Sequence, residues 1–93
     1  MATCVVTIKI MPESPDVDLA VVQTAAESAI NDFTGEDGEK RASMEPIAFG
    51  LKALKLIFVM DEKIGSTESL EQALASIEGV NSVDVVDVRR AIG

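Results

Sequence analysis

Residues 45–56, EPIAFGLKALKL, join two predicted strands in the middle of the chain and reverse its direction through an apolar turn. Turns between strands usually favour Gly, Pro, Asn, Asp and Ser for backbone reasons. Here Pro46 and Gly50 supply the breaks, while the residues between them are apolar, and Lys52 follows as the next strand begins. Phe49 is predicted either to fold back over the sheet edge as core or to contact a partner. An aromatic side chain near a turn and next to lysine suggests a docking surface.

The segments around this hairpin predict a βαββαβ order of secondary structure. Strands are expected at 3–10, 40–47, 51–60 and 80–90, with helices from 14 to about 33 and from 66 or 67 to 79. In this order an antiparallel four-stranded sheet carries both helices on one face. The sequence therefore predicts an α+β, ferredoxin-like sandwich, formed by residues 1–93 as one domain.

Two local patterns refine this prediction at the helix boundaries. Ser14 is the expected N-cap of the first helix, with Pro15 at its first helical position. The second helix is expected to bury a stripe of residues at helical spacing and to end at Gly79. That stripe consists of Leu70, Ala73, Leu74 and Ile77.

In the last predicted strand, the alternation of apolar and polar residues changes phase near the middle. Val83 and Val85 share one parity, whereas Val86 and Val88 share the other. Because strand side chains alternate between faces, this switch predicts a β-bulge near residues 85–86 or burial on both faces there.

Composition excludes several classes of function. With 16 acidic and 8 basic residues, the net charge of −8 opposes binding to a nucleic-acid backbone. Cys4 is the lone cysteine and the chain has no histidine, so we expect no metal site, no cofactor and a reducing, cytoplasmic setting. No apolar run approaches the ~18–20 residues of a membrane span. The N-terminus lacks the basic leader of a signal peptide.

Catalysis is also not expected. Ser and Thr residues have no His to activate them, and the carboxylates of Glu36, Asp37 and Glu39 form a solvated run rather than a pair in unlike environments. A phosphate-binding loop is not predicted, because Gly35 and Gly38 lie in this acidic loop. These observations favour a binding module over an enzyme.

Three segments, taken in order, resemble the archaeal translation elongation factor 1-beta family. They are VVTIKIMPESPDVDL at 5–19, EPIAFGLKALKLIFV at 45–59 and SIEGVNSVDVVDVRR at 76–90. The resemblance extends to the exchange domain at the C-terminus of eukaryotic elongation factor 1-beta. It implies a ferredoxin-like fold and acceleration of GDP release from elongation factor 1-alpha, the GTPase that delivers aminoacyl-tRNA, without breakage of a covalent bond.

The resemblance also implies which residues act. A lysine that intrudes near Mg²⁺ and the phosphates in the eukaryotic relative falls on Arg90, with Arg89 beside it as an assistant. This is a departure, because guanidinium and ammonium groups are not interchangeable at a tight ionic site. The residues that the resemblance implies for docking of the GTPase lie on the hairpin and on the loop after the first strand. They are Phe49, Leu51, Lys52, Met44, Pro46, Met11, Pro12 and Glu13.

The sequence leaves alternatives open for the arginines and for the function. Arg89 and Arg90 could pair with Asp84 or Asp87, or form a solvated tail. A small-molecule-sensing regulatory domain of the same fold, binding an amino acid at a dimer interface, is the main competing function. A structural assembly subunit is another. Under the favoured interpretation the chain is monomeric alone and binds the GTPase, not nucleic acid or membrane.

Overall fold

The computed structural model describes residues 3–35 and 38–91, and its element order is the expected βαββαβ. The strands are β1 (Thr3–Pro12), β2 (Lys40–Pro46), β3 (Lys52–Asp61) and β4 (Val80–Ala91). The helices are α1 (Leu19–Thr34) and α2 (Glu68–Ala75), and a 3₁₀ turn, Glu62–Ile64, follows β3. The strands form one antiparallel sheet in the order β2-β3-β1-β4. The ferredoxin-like prediction is confirmed.

The core lies between the helices and one side of the sheet, called here the helical face. Alternate residues of β1 and β3 point into it, as the period of a strand requires. The buried set is Val6, Ile8 and Ile10 from β1, Leu54, Leu56, Phe58 and Met60 from β3, Val22, Ala26 and Ile30 from α1, Leu70 and Leu74 from α2, and Val80 from β4. The opposite side is called the open face.

The predicted start of α1 is wrong. The helix begins at Leu19, and Asp18 is its N-cap, with Oδ1 accepting a hydrogen bond from the Ala20 N–H at 3.0 Å. The Ser14 hydroxyl instead accepts from the Asp16 N–H at 3.3 Å, within a separate turn. Ser and Asp are both good N-caps, so residue type alone does not decide between them. The predicted acidic loop follows α1, but Glu36 and Asp37 lie outside the described residues.

The second helix is shorter than predicted. It ends at Ala75, and a turn carries the chain on to Gly79, where φ is +91°. Leu70 and Leu74 are buried as expected, but Ala73 is exposed. A Cβ on Gly79 would approach Val17 Cγ1 to 2.9 Å, so glycine is required there both for its φ and for this close approach.

The predicted bulge in β4 is confirmed. Thr7 pairs with Asp87 and Ile8 pairs with Val85, so Val86 is an extra residue opposite β1. A second register shift follows at Met11–Pro12, and β1 continues to Pro12, beyond its predicted end. Bulges twist an edge strand and interrupt its regular ladder. The bulge at Val86 therefore also discourages pairing of β4 with another chain.

The sheet has two chemically distinct ends. At the hairpin end, β2 passes into β3 and β1 leads towards α1; at the arginine end, β3 and β4 finish beside the start of β1. The molecule extends 43 Å along its longest axis. Within the described ranges, none of the helices has the length and apolarity to cross a membrane.

Candidate functional site

The hairpin turn holds Phe49 in an unusual backbone conformation. The Leu51 N–H donates to the Ala48 carbonyl at 2.9 Å, and the two residues between them, Phe49 and Gly50, have φ of +54° and +79°. This is the arrangement of a type I′ turn, which normally takes Asn, Asp or Gly at these positions. Phe49 is the one non-glycine residue with positive φ among those described. A bulky residue in this region is strained, and such strain is typical of functional sites.

Phe49 gains no burial in exchange for this strain. Its side chain is 95% exposed, which rules out the interpretation that it folds back as core. Ile47 and Met44 are also exposed large apolar residues nearby. Exposed apolar residues grouped in this way are typical of surfaces that bind another molecule.

A shallow groove lies beside the turn, between the hairpin and the start of α1. Its walls include Pro15, Leu19, Met44 and Lys52, and Gly50 lies at its edge. The β-carbon and γ-carbon of Pro15 lie 3.9 and 4.0 Å from the position that a Cβ on Gly50 would occupy. The turn therefore rests close to the loop that precedes α1.

The structure gathers the predicted docking residues at the hairpin end but presents them unequally. Lys52, Pro46 and Glu13 are exposed, whereas Leu51 and Met11 are half-buried. Pro12 is buried and lines the floor of the groove. Phe49 is thus the most prominent member of the set.

At the arginine end, the two arginines point to opposite faces. Arg90 pairs with Cys4 of β1, on the helical face, and Arg89 pairs with Val5, on the open face. Met44 and Lys52, near the groove, also belong to the helical-face parity of β2 and β3. Arg90, rather than Arg89, is therefore on the same side of the sheet as the groove.

Each arginine has a carboxylate partner. Arg89 Nε lies 2.8 Å from Asp87 Oδ2, which confirms one of the pairings considered from sequence. Arg90 pairs instead with Glu62 of the 3₁₀ turn, and its Nη2 donates to Oε1 at 2.6 Å and to Oε2 at 2.8 Å. The Glu62 hydrogen bond, and then its charge, raise the pKa of the Arg90 guanidinium above its ordinary value.

The contact of Glu62 with Arg90 was not predicted from the sequence, although the predicted strand order indicates that the two residues lie close together. Thr3 pairs with Asp61 on one side and with Ala91 on the other, so the ends of β3 and β4 flank the start of β1. The two acidic residues that follow the third predicted strand, Asp61 and Glu62, therefore lie near the end of the fourth. The expected sheet order would have been enough to propose this contact.

The docking residues at the hairpin end and the two arginines at the arginine end do not form one continuous surface. Arg90 lies level with Cys4 and hence with Met60 across the sheet, while Lys52 marks the hairpin end of β3. Eight residue steps at about 3.3 Å separate Met60 from Lys52, or about 26 Å. A partner that contacts both ends must therefore extend along most of the domain.

The fold places the chain among ferredoxin-like α+β proteins, and comparison with known proteins identifies the family. The family described as the EF-1 guanine nucleotide exchange domain matches residues 5–91. The chain belongs to this family. Its members act by nucleotide exchange and not as enzymes, which agrees with the interpretation of the sequence.

Curated relatives span nearly the whole chain. Elongation factor 1-beta of Methanobrevibacter smithii is 47% identical over 90 residues, which cover 97% of this chain and 98% of the relative. The protein of the same name from Methanothermobacter thermautotrophicus is 44% identical with the same coverage. That from Methanococcoides burtonii is 38% identical over 99% of this chain and 100% of the relative. These matches favour exchange over the sensing and assembly alternatives.

Proposed function

We propose that this protein accelerates the release of GDP from elongation factor 1-alpha, so that GTP can replace it. The observation that carries the proposal is Phe49, exposed and conformationally strained on a hairpin, in a chain of the EF-1 exchange family. Contact of the exposed ring with another molecule would offset the cost of this strain. The partner would work in the cytoplasm, and we place this protein there with it.

Exchange follows from differential binding. A factor that binds the nucleotide-free GTPase more tightly than the GDP-bound form weakens nucleotide binding by the same ratio, because the two equilibria are linked. The factor supplies interaction energy and no covalent chemistry. Its residues must therefore divide into those that hold the GTPase and those that disfavour bound nucleotide.

We assign the holding role to the hairpin end. Phe49 is the apolar anchor, and Lys52, Pro46, Met44 and Glu13 form a mixed polar and apolar rim. This arrangement is common at protein interfaces, where a few aromatic or arginine residues supply most of the affinity. Leu51, Met11 and Pro12 support the loops beneath.

We assign the disfavouring role to Arg90. A cation that reaches the nucleotide site competes with the GTPase-bound Mg²⁺ for the phosphates and so destabilises the GDP complex. Arg90 shares the helical face with the groove, which supports it over Arg89 as the intruding group. Because Arg89 lies on the open face, we assign it only a secondary role, the electrostatic attraction of the partner.

Stopped-flow release of labelled GDP from the cognate elongation factor 1-alpha tests the proposal. We expect a clear, saturable increase in the release rate on addition of the protein. An unchanged rate at all concentrations would overturn the proposal, as would the absence of amide shift changes at Phe49 and Arg90 on addition of nucleotide-free GTPase.

We further propose that the protein is monomeric before it meets its partner. The bulge at Val86 and the exposed charges along β2 discourage pairing at both edges of the sheet. Sedimentation equilibrium should give the mass of one chain. A stable dimer would favour the competing assembly function.

A further inference from the structure

The contact between Arg90 and Glu62 joins two elements that are far apart in sequence, 28 residues, at the arginine end. One guanidinium nitrogen, Nη2, is held by both carboxylate oxygens. Both distances are those of charge-assisted hydrogen bonds. The contact fixes the direction of a side chain near the last described residue of β4.

Glu62 itself lies in a well-defined turn. The Asp61 side chain accepts a hydrogen bond from the Lys63 N–H at 2.9 Å, and the Gly65 N–H donates to the Glu62 carbonyl at 3.1 Å. Asp61 is also the last residue of β3 and pairs with Thr3. The carboxylate is therefore presented from a short, capped turn attached to a central strand.

The pair of Arg89 with Asp87 differs in this respect. Its members lie two residues apart on the same face of the same strand, so their contact does not tie β4 to another element. The contact of Arg90 does so and holds its guanidinium on the helical side, beside the end of β3. The raised pKa of Arg90 has Glu62 as its main cause and agrees with this geometry.

We propose that Glu62 is a positioning residue for nucleotide exchange, because it holds the Arg90 guanidinium in the direction in which it meets the GTPase. The inference rests on the function proposed above. Glu62 does not touch the nucleotide in this scheme; it acts through Arg90. Because the Arg90 side chain is 68% exposed and that of Glu62 44% exposed, the contact is weak enough to yield when a phosphate competes for the arginine.

The test is the Glu62→Gln variant, assayed by GDP release over a full range of factor concentration. We expect the maximal rate to fall by about two- to fivefold, the scale of exposed ion pairs, with the half-saturating concentration unchanged. Glu62→Asp retains the charge on a shorter side chain and should recover part of the rate. Glu39→Gln is the matched control, since it removes the same charge and a contact with Arg41 at 4.0 Å on the opposite edge strand.

A double-mutant cycle separates positioning from a general charge effect. Glu62→Gln should change nothing further when Arg90 is already alanine. An unchanged maximal rate in Glu62→Gln, or a higher one, would overturn the inference, and the same holds for an equal loss in Glu39→Gln.

A second measurement does not depend on the GTPase. Nitrogen-15 relaxation of the Arg90 Nε–Hε group in the free protein should show a more ordered side chain in wild type than in Glu62→Gln. Equal mobility would show that Glu62 does not orient Arg90. If the wild-type protein does not accelerate GDP release from the GTPase, the proposed function is wrong. The relaxation measurement would still show whether Glu62 orients the Arg90 side chain.

Discussion

The hairpin end and the arginine end present different chemistry and hold it by different means. At the hairpin end, a backbone turn with two consecutive positive φ values displays an apolar ring. At the arginine end, solvent-exposed carboxylates hold two cations in opposite directions. Salt screens exposed ion pairs, whereas it has little influence on a backbone conformation. The display of the ring at the hairpin end is therefore insensitive to salt, whereas the ion pairs at the arginine end should weaken as the salt concentration rises.

Removal of the Arg90 side chain should produce the largest change. We expect Arg90→Ala to lower the maximal rate of GDP release by about thirtyfold, typical of an arginine that dominates an interface. Arg89→Ala should have a much smaller effect, because its side chain lies on the open face. Stopped-flow kinetics measures both, with Arg41→Ala as a control for the loss of an exposed arginine. A greater loss of maximal rate in Arg89→Ala than in Arg90→Ala would show that the open face, and not the helical face, meets the nucleotide.

Truncation of Phe49 should act on affinity. Phe49→Ala removes the exposed ring and keeps the Cβ, and we expect the half-saturating factor concentration to rise by about tenfold while the maximal rate is retained. Val59→Ala, an exposed apolar truncation on the open face of β3, serves as the control. A loss of maximal rate without a change in half-saturation would reverse the roles assigned to the two ends.

The smallest expected effect is on stability and has the opposite sign. Phe49→Asn creates an Asn-Gly pair, the preferred sequence for this turn, and should stabilise the fold by about 1 kcal/mol through relief of strain. The melting temperature should rise by roughly 4–8 °C for a domain of this size. Ala48→Asn, at a neighbour without positive φ, should leave it nearly unchanged. A Phe49→Asn variant that is less stable than wild type would mean that the ring contributes to the fold.

The pattern of apolar residues was sufficient to predict the fold. Period-two alternation in β1 and β3 and helical spacing at Val22, Ala26 and Ile30 match the buried set, because burial on one face enforces these periods. The helix boundaries were predicted less well. Ser14 and Asp18 are both able to cap, and only tertiary placement of the preceding turn selects Asp18.

The candidate site was only partly predictable. The apolar turn at Phe49 was visible because its composition breaks the usual preferences of turns, although its exposure and its positive φ were not. The separation of the hairpin end from the arginine end by the length of the sheet was not anticipated, because residue spacing alone does not give that distance; it follows from the pairing of the strands. Glu62 was missed although the predicted strand order already places the end of β3 close to the end of β4.

The extra residue in β4 decides which of two adjacent guanidinium groups lies beside Glu62. In an uninterrupted strand the odd-numbered residues that follow Val85 would continue on the helical face, and Arg89 would take the place that Arg90 occupies. Arg90 is consequently five residues after Val85, the last residue before the bulge that faces the helices, an odd interval that only an irregular ladder permits. In family members, an even interval should therefore accompany an unbroken final strand, and the spacing alone should distinguish the two geometries.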